Sequence, residues 1–373
     1  MEITAAVVRA KGGDATLERL RLEDPRADEV LVRIVATGVC HADLFIRDQI
    51  YPVPPPVVLG HEGAGVVERV GSDVTRLAPG DPVVVTYGSC GSCESCNEGA
   101  ANYCHEHFAR NFLCQRPDGS SPLRNGDEVV RGCFFGQSSF ATHALCQQRN
   151  VVKVPADAPL ELLGPLACGV QTGAGAVMQA FDVEPGRSVA VYGAGSVGLS
   201  AVMAAHVRGA SPLVAVDREP SRLSLARSLG ATHVVDARTS DVAEAVREAT
   251  GGGSRYALDT TGSPQVIRAA VDALAVRGVC GTVGANTPDT EVCLNLIHVM
   301  AAGRTFRGIV EGDVDPHTFI PELIELHRAG RFPFDRIVTT YPFAEINQAF
   351  ADVEAGRTIK AVLLMGESLP AAH

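Results

Sequence analysis

Four cysteines spaced C-x2-C-x2-C-x7-C, at Cys90, Cys93, Cys96 and Cys104, constrain this chain more tightly than any hydrophobic pattern in it. Four thiolates so close in sequence complete a tetrahedral shell around one metal ion and leave no position for a substrate, which is the character of a structural site. The segment around them, 89–135, is rich in Cys, Gly, Asn and charge with little periodicity, so an irregular lobe is expected, fixed by the ion and loose without it. A second set, Cys40, His61 and Cys168, is scattered along the chain. Two thiolates and an imidazole leave a fourth position free, the character of a catalytic site. Spacing alone is weak here, because a chain with 11 cysteines and 11 histidines offers many triples. The flanking text raises it: Gly38-Val-Cys40-His41-Ala42-Asp43 and Gly60-His61-Glu62-Gly63-Ala64-Gly65 set glycines beside two of the ligands. Asp43 and Glu62 are carboxylates available to orient an imidazole or to enter the metal shell transiently. Cys114, Cys133, Cys146, Cys280 and Cys293 lack ligand spacing and read as small apolar residues. His105 and His107 read as lobe surface, with substitution for a missing ligand as the alternative.

A second constraint is length. At 373 residues the chain exceeds one ordinary core and suits two domains with a cleft. Net charge of −11 with 46% apolar residues describes an acidic globular protein whose partners are small molecules, and argues against nucleic acid or anionic membrane. With no charged-then-apolar leader and no apolar run near the length of a membrane span, a cytoplasmic setting with reduced thiols is expected. Up to about Val85, short apolar runs (Val30–Val35, Val57–Leu59, Gly65–Val70, Val83–Val85) punctuated by Gly, Pro and Asp predict strands joined by turns. After Pro155 the texture changes to strand-helix alternation: strands at Ser188–Tyr192, Leu213–Val216, Tyr256–Asp259 and Gly278–Val283, helices at Val197–Val207, Ser221–Leu229 and Gln265–Ala275. That alternation predicts a parallel, doubly wound sheet, so the fold class is α/β. Two amphipathic helices, Phe319–Ala329 and one around Phe343–Glu354, and a strand at Ala361–Met365 close the chain.

The first predicted strand of that sheet runs straight into Gly193-Ala-Gly195-Ser196-Val197-Gly198 and then a helix, the context a G-x-G-x-x-G loop needs to cradle a pyrophosphate. Asp217 ends the next strand, 19 residues after Gly198, where a carboxylate accepts from adenosine ribose hydroxyls and repels a 2′-phosphate. NAD is therefore expected over NADP, with Arg218 and Arg222 nearby as the charges able to soften that preference. The competing reading is that the glycines serve only helix-strand packing.

These residues together resemble the zinc-containing medium-chain alcohol dehydrogenases, along essentially the whole chain: the G-V-C-H-A-D and G-H-E-G-A-G segments, the four-cysteine lobe, G-A-G-S-V-G and the tail Gly356-Arg-Thr-Ile-Lys360. Two thiolates and one imidazole is the known catalytic zinc set of alcohol dehydrogenase. Within that family the chain is most similar to bacterial aryl-alcohol (benzyl alcohol) dehydrogenases, through Arg47-Asp-Gln-Ile-Tyr-Pro-Val-Pro54, Leu163-Gly-Pro-Leu-Ala-Cys-Gly-Val-Gln-Thr172 and Phe332-Pro-Phe-Asp335. The resemblance implies a GroES-like β-rich catalytic domain built from 1–169 and 311–373, with the structural-zinc lobe at 89–135, and a Rossmann NAD-binding domain at 170–310. It implies two Zn2+ per subunit, the catalytic one on Cys40, His61 and Cys168 with Glu62 approaching during ligand exchange and Asp43 supporting His61. His41 and Lys360 match positions that touch the cofactor pyrophosphate, Thr172 one that packs near the nicotinamide. Subunits are expected to pair through the Rossmann sheets into a homodimer or homotetramer.

One departure stands out. Many members of the family carry Ser or Thr two residues after the first zinc cysteine, as the start of a proton relay, and this chain has Ala42; a histidine often found three residues further on is replaced by Phe45. Tyr51, Phe45, Tyr87 and Phe140 are the expected walls of an apolar pocket for benzylic, cinnamyl or terpenoid allylic alcohols, each with ordinary core packing as its alternative. The expected reaction is reversible hydride transfer from such an alcohol to NAD, giving the aldehyde. The alternatives are an S-hydroxymethyl thiol-adduct dehydrogenase, which shares both zinc sites, and a catalytically retired zinc- and NAD-binding protein.

Overall fold

In the computed structural model, residues 1–366 are described, and the chain divides into two compact units. The first comprises Met1–Cys168, Asp315–Ile324 and the chain from Ile337 onward; the second comprises Gly169–Val314 and Glu325–Arg336. These bounds differ from the expected ones: Gly169 falls in the second unit, and the return to the first comes at Asp315. Residues 311–314 stay with the second unit, and so does 325–336, because the helix Pro316–Arg328 is divided between the two.

The first unit is β-rich. One sheet runs Val57–Val58, Glu2–Val8, Ala15–Leu22, Leu123–Asn125, Glu128–Val130. The other runs Val151–Lys153, Pro82–Val85, Glu62–Val70, Glu29–Gly38, Lys360–Leu364, Val338–Pro342, with His143–Gln147 also paired to Glu29–Gly38. The short apolar runs read from the sequence form these strands, and Val30, Val32, Ile34, Val67, Val83 and Val85 share one buried cluster. Each such side chain contributes roughly 1.5–3 kcal/mol when taken fully from water, which is why alternation fixes register. Register in turn places the site. Gly38 pairs with both Glu62 and Val362, so the ends of three strands meet, and Cys40, His61-Glu62 and Lys360 arrive at one edge of the sheet.

The second unit is the doubly wound sheet. All six strands are parallel, in the order His233–Asp236, Leu213–Asp217, Val189–Tyr192, Ser254–Asp259, Leu274–Thr282, Thr305–Gly308. Numbered within the unit this is 3-2-1-4-5-6, the Rossmann order, whose switch point lies beside the first strand and its glycine loop. The central strands are apolar almost throughout, as sheets covered on both faces require.

The expectation of an irregular 89–135 needs correction. Short helices at Glu94–Asn97 and His107–Phe112 and a hairpin of Leu123–Asn125 with Glu128–Val130 interrupt it. Elements of three to six residues are too short to imprint a period on sequence.

Candidate active site

Cys40 begins the short helix His41–Arg47, and its neighbour Asp43, fully buried, knits the metal-ligand set together. One Asp43 oxygen accepts from the Cys40 backbone N–H (2.9 Å); the other accepts from Gly60 N–H (3.0 Å) and meets His61 Nδ1 at 3.0 Å. With Nδ1 held by a carboxylate, His61 presents Nε2 as its free lone pair. That Nε2 is buried and has no hydrogen-bond partner. An orphaned buried imidazole nitrogen is costly unless something else binds it, and the ligand atoms of Cys40, Glu62 and Cys168 lie with a His61 nitrogen inside a 4.8 Å cluster. The donor set fits a zinc ion. Cys168 is brought there by the turn Gly164–Ala167, which Thr86 holds by donating to Ala167 O (2.9 Å).

Glycines make this close approach possible. A Cβ on Gly38 would lie 1.9 Å from a Glu62 carboxylate oxygen, and one on Gly60, at φ +89°, would lie 2.4 Å from the Phe140 nitrogen. Glu62 is fully buried and paired with Lys360, whose ammonium donates to both carboxylate oxygens (2.8 and 3.0 Å) and to Val39 O (3.1 Å). Burial pushes the Glu62 carboxyl up to about 7, against the pull of Lys360. Lys360 is itself buried and its three ammonium donors are all used inside the protein, so a hydrogen bond to a pyrophosphate would displace one of them. His41, at the start of the same helix as Asp43, is exposed.

An aromatic array extends from His61. Phe135 stacks on the imidazole (4.5 Å between ring centres) and Phe134 meets it edge-on (5.3 Å). Phe112 touches both, Phe108 stacks on Phe112, and Tyr51 joins Phe108, Phe112 and Phe45. Phe45 and Tyr51, expected to wall a pocket, are part of this array, and Tyr87 sits beside His107. Phe140 is not: it is buried in the main core and packs on Phe350. Sequence reasoning misses Phe108, Phe112, Phe134 and Phe135, since they lie in an aperiodic stretch; the doublet Phe134-Phe135 beside Gly136 is the available signal. His107 starts a helix in this array and does not join the cysteine cluster.

The four lobe cysteines converge. Cys90 and Cys96 sulfurs are 3.8 Å apart, and those of Cys93 and Cys104 4.0 Å. Four thiolates about 2.3 Å from one tetrahedral ion stand about 3.8 Å from each other. Backbone N–H groups of Ser92 and Cys93 point at the Cys90 sulfur (3.4 and 3.2 Å) and pull its thiol down to about 5. The lobe therefore fits a closed zinc site.

In the second unit the glycine loop joins Val189–Tyr192 to the helix Ser196–Val207. Gly193 has φ +92°, and a Cβ on Gly198 would lie 1.7 Å from Gly193 O, so both are required by the protein itself. Gly195 differs: its Cβ would meet nothing within 4 Å. The protein itself leaves room for a side chain there, and bare backbone at that point is what close approach of a phosphate requires. Ser196 Oγ is buried without a partner at the first turn of the helix, where Val197 follows. Asp217 accepts from Ala194 N (2.6 Å), Arg218 N (2.7 Å) and Glu219 N (2.8 Å), which ties the acid to the loop. Arg222 lies in the first turn of the helix Pro220–Ser228. Thr172, in Gly169–Gly175, is buried with its hydroxyl 3.4 Å from Glu311. These residues fit a dinucleotide.

Residues 26–156 match the alcohol dehydrogenase GroES-like domain family, and residues 196–328 the zinc-binding dehydrogenase family. The geraniol dehydrogenase of Castellaniella defragrans is 47% identical over 362 residues, 96% of this chain and 97% of that one. The crystal structure of benzyl alcohol dehydrogenase from Acinetobacter calcoaceticus superposes with a TM-score of 0.95 at 49% identity, covering 98% of this chain and 100% of the other. An alcohol dehydrogenase zinc-binding domain protein from Burkholderia ambifaria superposes at 0.97 with 54% identity, again over 98% of this chain and 100% of that one.

Proposed function

Because the chain belongs to the zinc-binding alcohol dehydrogenase family, we propose that it moves a hydride reversibly between a primary aryl or allylic alcohol, of benzyl, cinnamyl or terpenoid type, and NAD, giving the aldehyde. The observation that carries this choice of substrate is the aromatic array laid on His61, which ends at the half-exposed Phe108. Cys40, His61 and Cys168 would hold the catalytic zinc, with Glu62 in reserve, and Cys90, Cys93, Cys96 and Cys104 the structural one. Zinc supplies a Lewis acid that lowers the pKa of an alcohol hydroxyl, and NAD supplies the hydride acceptor.

The chain's own residues do the rest. Asp43 holds His61 in one tautomer and orientation. Phe45, Tyr51, Phe108, Phe112 and Phe135 exclude water and offer flat faces to a conjugated substrate, where ring contacts add roughly 0.5–1.5 kcal/mol beyond area burial. Ala42 offers no hydroxyl, so the side chain at this position would not carry the alcohol proton away. The glycine loop and the helix N-terminus would receive the pyrophosphate, with Ser196 Oγ as an added donor, and Asp217 would favour NAD by repelling a 2′-phosphate. The second unit would pair with a second copy through the strand Thr305–Gly308 and helix Leu296–Ala302, where Leu296 and Met300 are 79% and 72% exposed. No helix among the described residues is long and apolar enough to cross a membrane.

Initial rates of NADH formation with benzyl alcohol, cinnamyl alcohol, geraniol, ethanol and a thiol-formaldehyde adduct, on protein of measured zinc content, test the reading. The conjugated alcohols are expected to exceed ethanol in kcat/KM by at least about tenfold, or about 1.4 kcal/mol of transition-state binding. Turnover of the thiol adduct alone would move the chain to the S-hydroxymethyl class, and silence throughout at two zinc per subunit would mark a retired enzyme.

A further inference from the structure

We propose that Gln137 is a positioning residue for the metal site, tying the main chain on either side of Glu62 to the aromatic wall. Its side-chain amide is buried and makes three bonds: Nε2 donates to His61 O (2.8 Å) and Val85 O (2.9 Å), and Oε1 accepts from Gly63 N–H (3.1 Å). The His61 carbonyl belongs to the peptide entering Glu62, and the Gly63 N–H to the peptide leaving it. Gly63 pairs with Val85, so one side chain spans two strands at the ligand. Only an amide donates twice and accepts once in this way; a carboxylate accepts only, and a thioether does neither well.

The backbone that carries Gln137 is bent to the same end. Cys133, Phe135, Gly136 and Ser138 all have positive φ (65°, 49°, 64° and 60°), which non-glycine residues hold only when their surroundings over-determine it. The surroundings are the metal-ligand strand. Ser138 Oγ donates to Val58 O (2.7 Å), Ser139 N–H to Gly60 O (2.9 Å) and Phe140 N–H to Leu59 O (3.0 Å), while Gln137 takes His61 and Gly63. The segment therefore runs alongside residues 58–63 and lays Phe134 and Phe135 on the His61 ring in the same stroke. Aromatic wall and metal ligand are held together by several bonds, of which those of Gln137 are the ones that reach the peptides on both sides of Glu62.

The inference rests on Cys40, His61 and Cys168 holding a metal, and the test separates the two. Purified zinc-loaded parent, Gln137→Met and Gln137→Glu are compared for zinc loss to a chelator, for the visible spectrum after cobalt(II) exchange, and for NAD affinity. In Gln137→Met one zinc equivalent is expected to leave about 10- to 100-fold faster, the range for lost supporting bonds at a metal ligand. The cobalt bands shift, while the lobe metal and NAD affinity stay as in the parent. Gln137→Glu keeps the acceptor and loses both donors, so it gives the same direction of change, and it decides the matter if the Met variant does not fold. Zinc loss within about twofold of the parent, with unchanged cobalt bands, overturns the role of Gln137. A parent that retains only the lobe metal overturns the site assignment and the role together.

Discussion

Ala42 is the residue at which the chain departs from the pattern that the family resemblance implies. It sits half-buried on the helix that carries Asp43, two residues past Cys40. Installing a hydroxyl there supplies a relay without disturbing the buried set, so Ala42→Ser is expected to raise kcat for benzyl alcohol oxidation by up to about tenfold, at unchanged KM, a modest share of what general acid–base groups contribute. Rates indistinguishable from the parent at every pH between about 7 and 10 would show that proton release does not limit turnover. The departure was legible in the sequence because it is a matter of residue type. Which aromatics wall a pocket was not. Phe140 and Phe135 are equally aromatic, close in sequence and buried in one core cluster, yet Phe140 packs on Phe350 while Phe135 stacks on His61. The positive-φ residues between Cys133 and Ser138 break the two-residue alternation by which a strand's faces are read from sequence.

Elements differ in how far sequence exposes them. The glycine loop was legible in full, since strand, loop, helix and acid each leave a signature at fixed spacing, whereas the lobe's short helices leave none. The loop also separates two roles that the motif alone conflates. Gly198 is demanded by the fold, and Gly198→Ala, which drives a Cβ into Gly193 O, is expected to destabilise the protein by about 3 kcal/mol or more in thermal or denaturant unfolding. Gly195 has open space at its Cβ and φ of −81°, which any residue adopts. Gly195→Ala is expected to leave stability unchanged or raised by up to about 1 kcal/mol, through a less flexible unfolded chain. Its NAD affinity, measured by titration, should fall about tenfold or more, a loss of about 1.4 kcal/mol. Undiminished NAD binding in that variant would leave the open space at Gly195 without a cofactor explanation.

At the scale of the molecule, the change of texture after Pro155 and the strand-helix alternation revealed two units. How the C-terminal region is shared between them was hidden: 315–324 and 325–336 fall into different units although one helix runs across the divide, and an unbroken helical period carries no mark of such a boundary. The second unit also leaves an apolar surface of Leu296, Ile297, Met300 and Phe306. Leu296→Glu with Met300→Glu is expected to convert a dimer or tetramer to monomer in sedimentation, with zinc content unchanged; a parent already monomeric would defeat the pairing proposal. Lastly, the strand Lys360–Leu364 lies inside its sheet, flanked by Glu29–Gly38 and Val338–Pro342, and brings the ammonium that meets buried Glu62. Lys360 follows the last residue of the nucleotide unit, Arg336, and stands 298 residues after Glu62. The charge balance of the metal-ligand set therefore depends on two segments far apart in the chain, and it is complete only after the chain has passed through the whole nucleotide unit.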